Sequence, residues 1–354
     1  MDVREVIADM IFILRAPVDG IEQAMGISGK YSKAWQRLAT LLRALPTPWV
    51  LPRSYRRELI GIASTYYSAG SDPGITFMAL YNKYNTILNQ WSDWQYNALL
   101  AIISISIMVG LLSILVVLGA PPLLPLINLF LIPAIHYYQV EITRYDYTLP
   151  TITGVAGGIA GVGLAPLLGL GVTGMEYLGL MGLGIGFAVT YLPQFARFVR
   201  NYMGLESRVM TSFGELLTVH NPRPPRPLTL IEHQLTPLWE YAFSVGVREF
   251  IERVNMMVDT LLTFVRRSVN AGLIYGPFVP ISYASILYIY SIIRTLGTVH
   301  LPVPLIIQPQ AIGGTILPLA IGTSLLTGKA IHSIGLGIVL LPLFLIPAIL
   351  ILGW

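Results

Sequence analysis

The stretch WQYNALLAIISISIMVGLLSILVVLGAPPLLPLINLFLIPAIHYYQV, residues 94–140, holds no Asp, Glu, Lys or Arg over 47 residues. An apolar run of about 18 residues is long enough to cross a bilayer as a helix. This run is long enough twice, and Gly119-Ala120-Pro121-Pro122 divides it. It predicts two spans, about 97–118 and 121–139. In lipid every backbone polar group needs an internal partner, so the spans are helices. The reading decides the class: an all-α, polytopic membrane protein.

The same test works outward. Residues 147–196 carry one charge, Glu176. GLGVTGME (169–176) predicts a turn, with spans near 149–169 and 177–195. HYYQVEITRYDY (136–147) reads as a short polar loop with interfacial tyrosines. Residues 303–327 and 333–353 read as clear spans parted by Gly328-Lys329. Residues 277–296 (PFVPISYASILYIYSIIRTL) are apolar enough to span, yet hold Pro277, Pro280, several tyrosines and Arg294. They read either as a seventh span or as a buried helix of a soluble domain, which gives six or seven transmembrane helices. Small residues in GVAGGIAGVGLAPLLGLG (154–171) suit close helix packing.

The chain is 54% apolar and 11% charged, against about 25% charge in soluble domains. Residues 1–95 and 193–270 hold 19 of the 22 basic and 15 of the 18 acidic residues. Four spans separate these blocks, so both face one side, and their Lys/Arg content predicts the cytoplasm, N-terminus included. Each block is nearly neutral and the net charge is +4, so no direct nucleic-acid binding is expected. The absence of cysteine excludes disulfides, thiolate metal sites and Cys nucleophiles. The acidic opening MDVREVIADM predicts no cleaved signal.

Both blocks read as helical. In residues 3–43, Val3, Ile7, Met10, Ile11 and Leu14, then Leu38, Leu41 and Leu42, recur at helical spacing. TPWVLPR (47–53) breaks the pattern, and a second helical run covers 54–68. AGSDPG (69–74) is turn chemistry. Residues 75–95 follow as a helix, with Trp91, Trp94 and Tyr96 as an interfacial anchor. The second block repeats the order. FARFVRNYMGLESRVMTSFGELL (195–217) is a helix pair about Gly204, NPRPPRPL (221–228) is a proline break, residues 229–270 return to helix, and AGLIYG (271–276) turns it. A third Ala-Gly-x-x-x-Gly, AGGIAG (156–161), lies inside a span, so position within the two blocks carries the weight rather than the pattern. The expected division is a cytoplasmic helical bundle over 1–95, four transmembrane helices over 96–195, a second cytoplasmic domain over 196–276, and a membrane region of two or three helices over 277–354.

Chemistry-bearing motifs are absent. None of the five histidines lies within four residues of another, and no P-loop, GxSxG or HExxH occurs. No catalytic residue, cofactor or metal is expected, and the chain reads as a non-enzyme. Glu176, Arg294 and Lys329 are the few ionisable residues near spans, which argues against an ion-driven carrier. Two sets of arginines stand out: Arg53, Arg56 and Arg57 after the first proline break, and Arg223, Arg226, Arg266 and Arg267 in the second block. They suit a surface that steers an acidic partner.

This organisation resembles the polytopic platform proteins of type II secretion, type IV pilus and archaellum assembly, its archaeal branch above all. Arg15–Ala24 and Gly204–Met210 resemble the first turns of the family's helical hairpins, and Gly70–Leu80 with Gly272–Ser282 the second. On that resemblance Gly70, Gly74, Gly204, Gly272 and Gly276 are domain turns. The arginines would dock a cytoplasmic secretion-type ATPase. The membrane helices would meet lipids and pilin-like filament subunits, and the chain would form a dimer or trimer in the cell membrane. Two other classes stay open. One is a channel of a DNA-transfer or conjugation-type apparatus, lined by Thr151, Thr153, Thr173 and Thr190. The other is a small-molecule permease, against which stands the size of the polar blocks, about 170 of 354 residues.

Overall fold

The computed structural model describes residues 3–44, 54–113, 127–139, 145–219, 221–297 and 309–352. Among them every regular element is a helix. In chain order these are α1 (Val3–Asp19), α2 (Ile21–Ser28), α3 (Lys33–Ala44), α4 (Tyr55–Ser68), α5 (Pro73–Ser113), α6 (Ile127–Tyr138) and α7 (Thr148–Leu167). There follow α8 (Val172–Met203), α9 (Leu205–Thr218), α10 (Leu230–Val245), α11 (Arg248–Tyr275), α12 (Phe278–Gly297), α13 (Pro309–Ala330) and α14 (Ile334–Leu352).

The chain divides into two compact units. The polar unit comprises the described parts of Met1–Trp94 and Phe198–Ser268. The apolar unit comprises those of Gln95–Gln139, Tyr145–Arg197 and Val269–Trp354. Both charged blocks therefore lie in one unit. The boundaries fall inside α5, α8 and α11, each of which runs on as one helix.

Local chemistry sets most helix ends of the polar unit. Ser54 caps α4 by accepting the Arg57 N–H. Gly70, at φ +66°, ends it, and the Ser71 N–H donates back to the Tyr66 carbonyl. Asp72 then accepts the Gly74 N–H at 2.7 Å, with Pro73 as the first helical residue of α5. A capping box starts α10: Thr229 and Glu232 exchange side chain-to-backbone bonds. Gly246, at φ +66°, stops it. Residues 222–227 of the proline stretch are not helical. The break expected at 47–53 lies outside the described residues.

Helical spacing places one apolar face on α1, but α1 is buried on nearly every side. Val6, Met10 and Ile13 are buried along with Ile7, Ile11 and Leu14. A helix apolar all round is a surrounded helix, and α1 packs against α2, α4 and α10. The charged blocks meet there and again along α5 and α11. Arg15 lies over the Tyr241 ring at 4.0 Å, and the Tyr81 and Thr260 hydroxyls are 3.1 Å apart.

Four described stretches are long and apolar enough to cross a membrane: Pro73–Ser113, Thr148–Leu167, Val172–Met203 and Arg248–Ile292. Ile127–His136, Ile316–Ala330 and Ile334–Pro347 are shorter apolar helices. The divider at Gly119–Pro122 lies outside the described residues. The turn expected within 169–176 is at Leu168–Gly171, where Gly169 has φ +69°. α12 belongs to the apolar unit: Tyr283, Ile286, Leu287 and Tyr290 pack with Ile316, Leu319, Leu341 and Leu345. The last two helices part at Ile331–Ser333, where His332 has φ +62°, not at Gly328-Lys329. Gly328 stays helical because α14 presses on it. A Cβ there would meet the Gly337 nitrogen at 2.1 Å.

Candidate functional site

On α1, Glu5 and Asp9 stand one turn apart on the same face. Asp9 is 0% exposed. Its carboxylate accepts from Trp35 Nε1 at 2.6 Å, Arg56 Nε at 2.7 Å, the Tyr55 hydroxyl at 2.8 Å and the Tyr84 hydroxyl at 3.3 Å. That fills the roughly four lone-pair sites of a carboxylate. Glu5 Oε2 takes Arg56 Nη2 and the Ser32 hydroxyl, both at 2.6 Å, and Ser32 Oγ in turn accepts the Trp35 N–H. Phe12 stacks on Trp35 at 4.3 Å. Burial pushes the Asp9 carboxyl above the ordinary carboxylate value, and Arg56, Tyr55 and Trp35 pull it back. Burial also pulls Arg56 down, but Asp9, Tyr55 and Glu5 outweigh it and hold the guanidinium above its ordinary value. The network ties α1, α3, α4 and α5 into one register, the use for which buried ion pairs are best attested.

The second block has its own buried acid. Glu232 is 0% exposed and takes Arg208 Nε at 2.8 Å on one oxygen and the Thr229 N–H at 2.8 Å on the other. Arg208 also donates to the Asn201 carbonyl at 2.6 Å, and Trp239 Nε1 to the Ser212 carbonyl at 3.0 Å. Sequence reading singled out neither Asp9 nor Glu232. For Glu232 a signal exists, the T-x-x-E spacing of TLIE (229–232). For Asp9 it is only an isolated acid in an otherwise apolar run.

The arginines expected to form one docking face have different lives. Arg56 is turned inward. Arg57 is half-buried and lines an open groove of about 830 Å³ with Tyr55, Glu58, Ile62, Tyr66 and Lys83. Arg223 and Arg226 are exposed in the proline stretch. Arg266 is exposed and pairs with Glu206 at 2.7 Å, and Arg267 is exposed and donates to Asn89. Arg53 lies outside the described residues. The surface cations thus sit on three elements: α4, the proline stretch and α11.

The glycines expected as domain turns divide likewise. Gly70 turns the chain in the left-handed region, Gly74 stands in the first turn of α5, and Gly204 parts α8 from α9. Gly276 parts α11 from α12, whereas Gly272 is inside α11. A Cβ on Gly272 would meet the Ala330 carbonyl oxygen at 2.2 Å, so its work is close helix approach.

In the apolar unit α7 and α8 touch backbone to backbone. Added Cβ atoms at Gly157, Gly161, Gly182 and Gly186 would meet opposing carbonyl oxygens at 2.1–2.2 Å. Thr153 and Thr190, expected as pore-lining candidates, bond to each other at 2.9 Å across this seam, while Thr151 and Thr173 are exposed. Glu176 is exposed on the first turns of α8, at an apolar groove with Val155, Ile159, Val162 and Leu183. Tyr191 gathers Tyr145, Tyr147 and Phe187 at centroid distances of 5.3, 6.0 and 5.2 Å, and its hydroxyl meets that of Ser333. Among the described residues no group of three or more His, Asp or Glu is placed to hold a metal ion. The chain matches no protein-family model, no curated protein and no solved structure.

Proposed function

We propose that the chain is a non-enzymatic platform in the cell membrane for an extracellular filament of the type IV pilus kind. In this reading the polar unit is cytoplasmic and consists of two bundles, one from each charged block. Six or seven helices cross the membrane. A secretion-type ATPase docks on the half-buried Arg57 and the exposed Arg223, Arg226, Arg266 and Arg267. Its movement passes through α5, α8 and α11 to the membrane helices, which meet pilin-like subunits. A second or third copy completes the platform.

The observation that supports the reading most is the continuity of those three helices, which leave a shared polar unit without a linker. A carrier's loops have no need of such a connection. A polar unit joined to apolar helices by continuous helices suits a protein that transmits force.

Two measurements test it. The chain has no cysteine, so single cysteines report sidedness without background. Lys30→Cys and Arg223→Cys should react with an impermeant maleimide only from the cytoplasmic side, and Gly171→Cys only from outside. Labelling of Lys30→Cys and Arg223→Cys from opposite sides would sink the topology. Co-purification through an N-terminal tag should then yield a hexameric secretion-type ATPase, lost on reversing the charge of Arg57 and Arg223. A DNA-translocating ATPase in its place would move the reading to a DNA-transfer channel.

A further inference from the structure

The apolar unit carries an open groove of about 450 Å³ on α7 and α8, whose lining includes Val155, Gly158 and Ile159 of α7 and Glu176, Gly179 and Leu183 of α8. Gly158 and Gly179 lie side by side there, since a Cβ on Gly158 would meet the Gly179 carbonyl oxygen at 3.3 Å, and neither brings a side chain to fill the groove. Glu176 brings to it the one charge of residues 147–196. It is exposed and makes no hydrogen bond or ion pair with another described residue. A carboxylate beside an apolar surface calls for a donor.

A matching surface lies on α12. Phe278, Ile281, Ser285, Tyr288 and Ile292 are all exposed, and they follow one another at spacings of three, four, three and four residues. That is the repeat with which one helix packs a ridge of side chains into the holes of others. The Ser285 hydroxyl is spent on the Ile281 carbonyl at 3.0 Å. The Tyr288 hydroxyl makes no hydrogen bond with another described residue, and Tyr288 is 67% exposed. Its depth matches that of the acid. Tyr177, next to Glu176, is buried in one cluster with Ile286, Leu287 and Tyr290, which flank Tyr288. The chain thus presents an acceptor without a donor and a donor without an acceptor at about one level, and no bond joins them within it.

We propose that α12 of a second copy of this chain seats in the groove, with its Tyr288 hydroxyl donating to the Glu176 carboxylate. An acyl chain can fill the groove but offers the carboxylate nothing; the α12 stripe offers an apolar ridge and an O–H at the right depth. The proposal rests on the second copy of the platform reading and says where that copy touches.

The test is energy transfer between full chains in liposomes, one population carrying a donor dye on Lys30→Cys and the other an acceptor dye, read over a range of protein-to-lipid ratios. Saturable transfer is expected. Tyr288→Phe and Glu176→Gln should each weaken the association by about tenfold, the worth of a hydrogen bond to a charged group. The double variant should lose little more than either single one, because both remove the same bond. Both side chains are exposed, so the melting temperature should stay at the parent's. Ile159→Trp, which bulks the groove, should also weaken association by about tenfold or more. Val189→Trp, on an α8 residue equally exposed at 69%, should leave it unchanged. The proposal fails if the single losses add, or if Ile159→Trp and Val189→Trp act alike. Saturable transfer that none of these variants weakens would mean that copies meet through another face, which overturns the groove contact and spares the second copy of the platform. No transfer at any ratio would overturn both, while capture of the ATPase would still decide the rest of the platform reading.

Discussion

AGSDPG and AGLIYG share three letters at the same spacing and do different work. In the first, Gly70 takes a left-handed conformation, Asp72 caps and Pro73 opens a new helix. Nothing lies within 4 Å of where a Gly70 Cβ would be. In the second, Gly272 is an ordinary helical residue whose missing side chain leaves room for the Ala330 carbonyl. One glycine is chosen for its dihedral angles, the other for its absent volume. The contrast extends to the two units. The polar unit holds helices together through buried charges, and the apolar unit brings α7 and α8 backbone against backbone.

The sharpest way to break that contrast is through neighbouring arginines. Arg56→Ala strands Asp9 in the interior and should cost about 3–5 kcal/mol. A drop in the melting temperature of the detergent-solubilised chain, with loss of the polar unit's protection in hydrogen exchange, reads it. Next comes Gly272→Ala, expected to cost about 2–3 kcal/mol through overpacking. A melting temperature equal to the parent's would show that α11 and α13 can part freely. Gly70→Ala meets no atom and suffers only the left-handed penalty, about 1 kcal/mol. Gly70→Asn should recover part of it, and a cost as large as that of Gly272→Ala would erase the distinction. Arg57→Ala should be smallest, within about 0.5 kcal/mol, and should act on partner capture instead of melting.

Much of the helix grammar was legible, because it is local. Ser54, Asp72-Pro73, Gly204 and the 221–228 prolines act within a few residues of themselves, and each marks a helix end where the pattern places one. What could not be read depends on distance along the chain. Asp9 finds Arg56 47 residues away, and Gly272 finds Ala330 across a connection. Nearness in sequence made Arg56 look like one of a surface cluster with Arg53 and Arg57, but adjacent residues on a helix point about 100° apart. That same rotation puts Arg56 inside and leaves Arg57 at the rim. The parting of α13 from α14 shifted for a related reason: Gly328 reads as a helix stop, but its neighbour Gly337 made it a contact point.

The helices shared by the two units differ in stiffness. α8 carries Pro193 within it, and α11 gives way at Gly276 and Pro277. α5 runs 41 residues with its only proline at the first position, a rod about 60 Å long. Proline removes a backbone bond and allows bending, so α8 is a jointed strut and α5 an unjointed one. Of these two helices, only α8 holds an interior proline at which to bend.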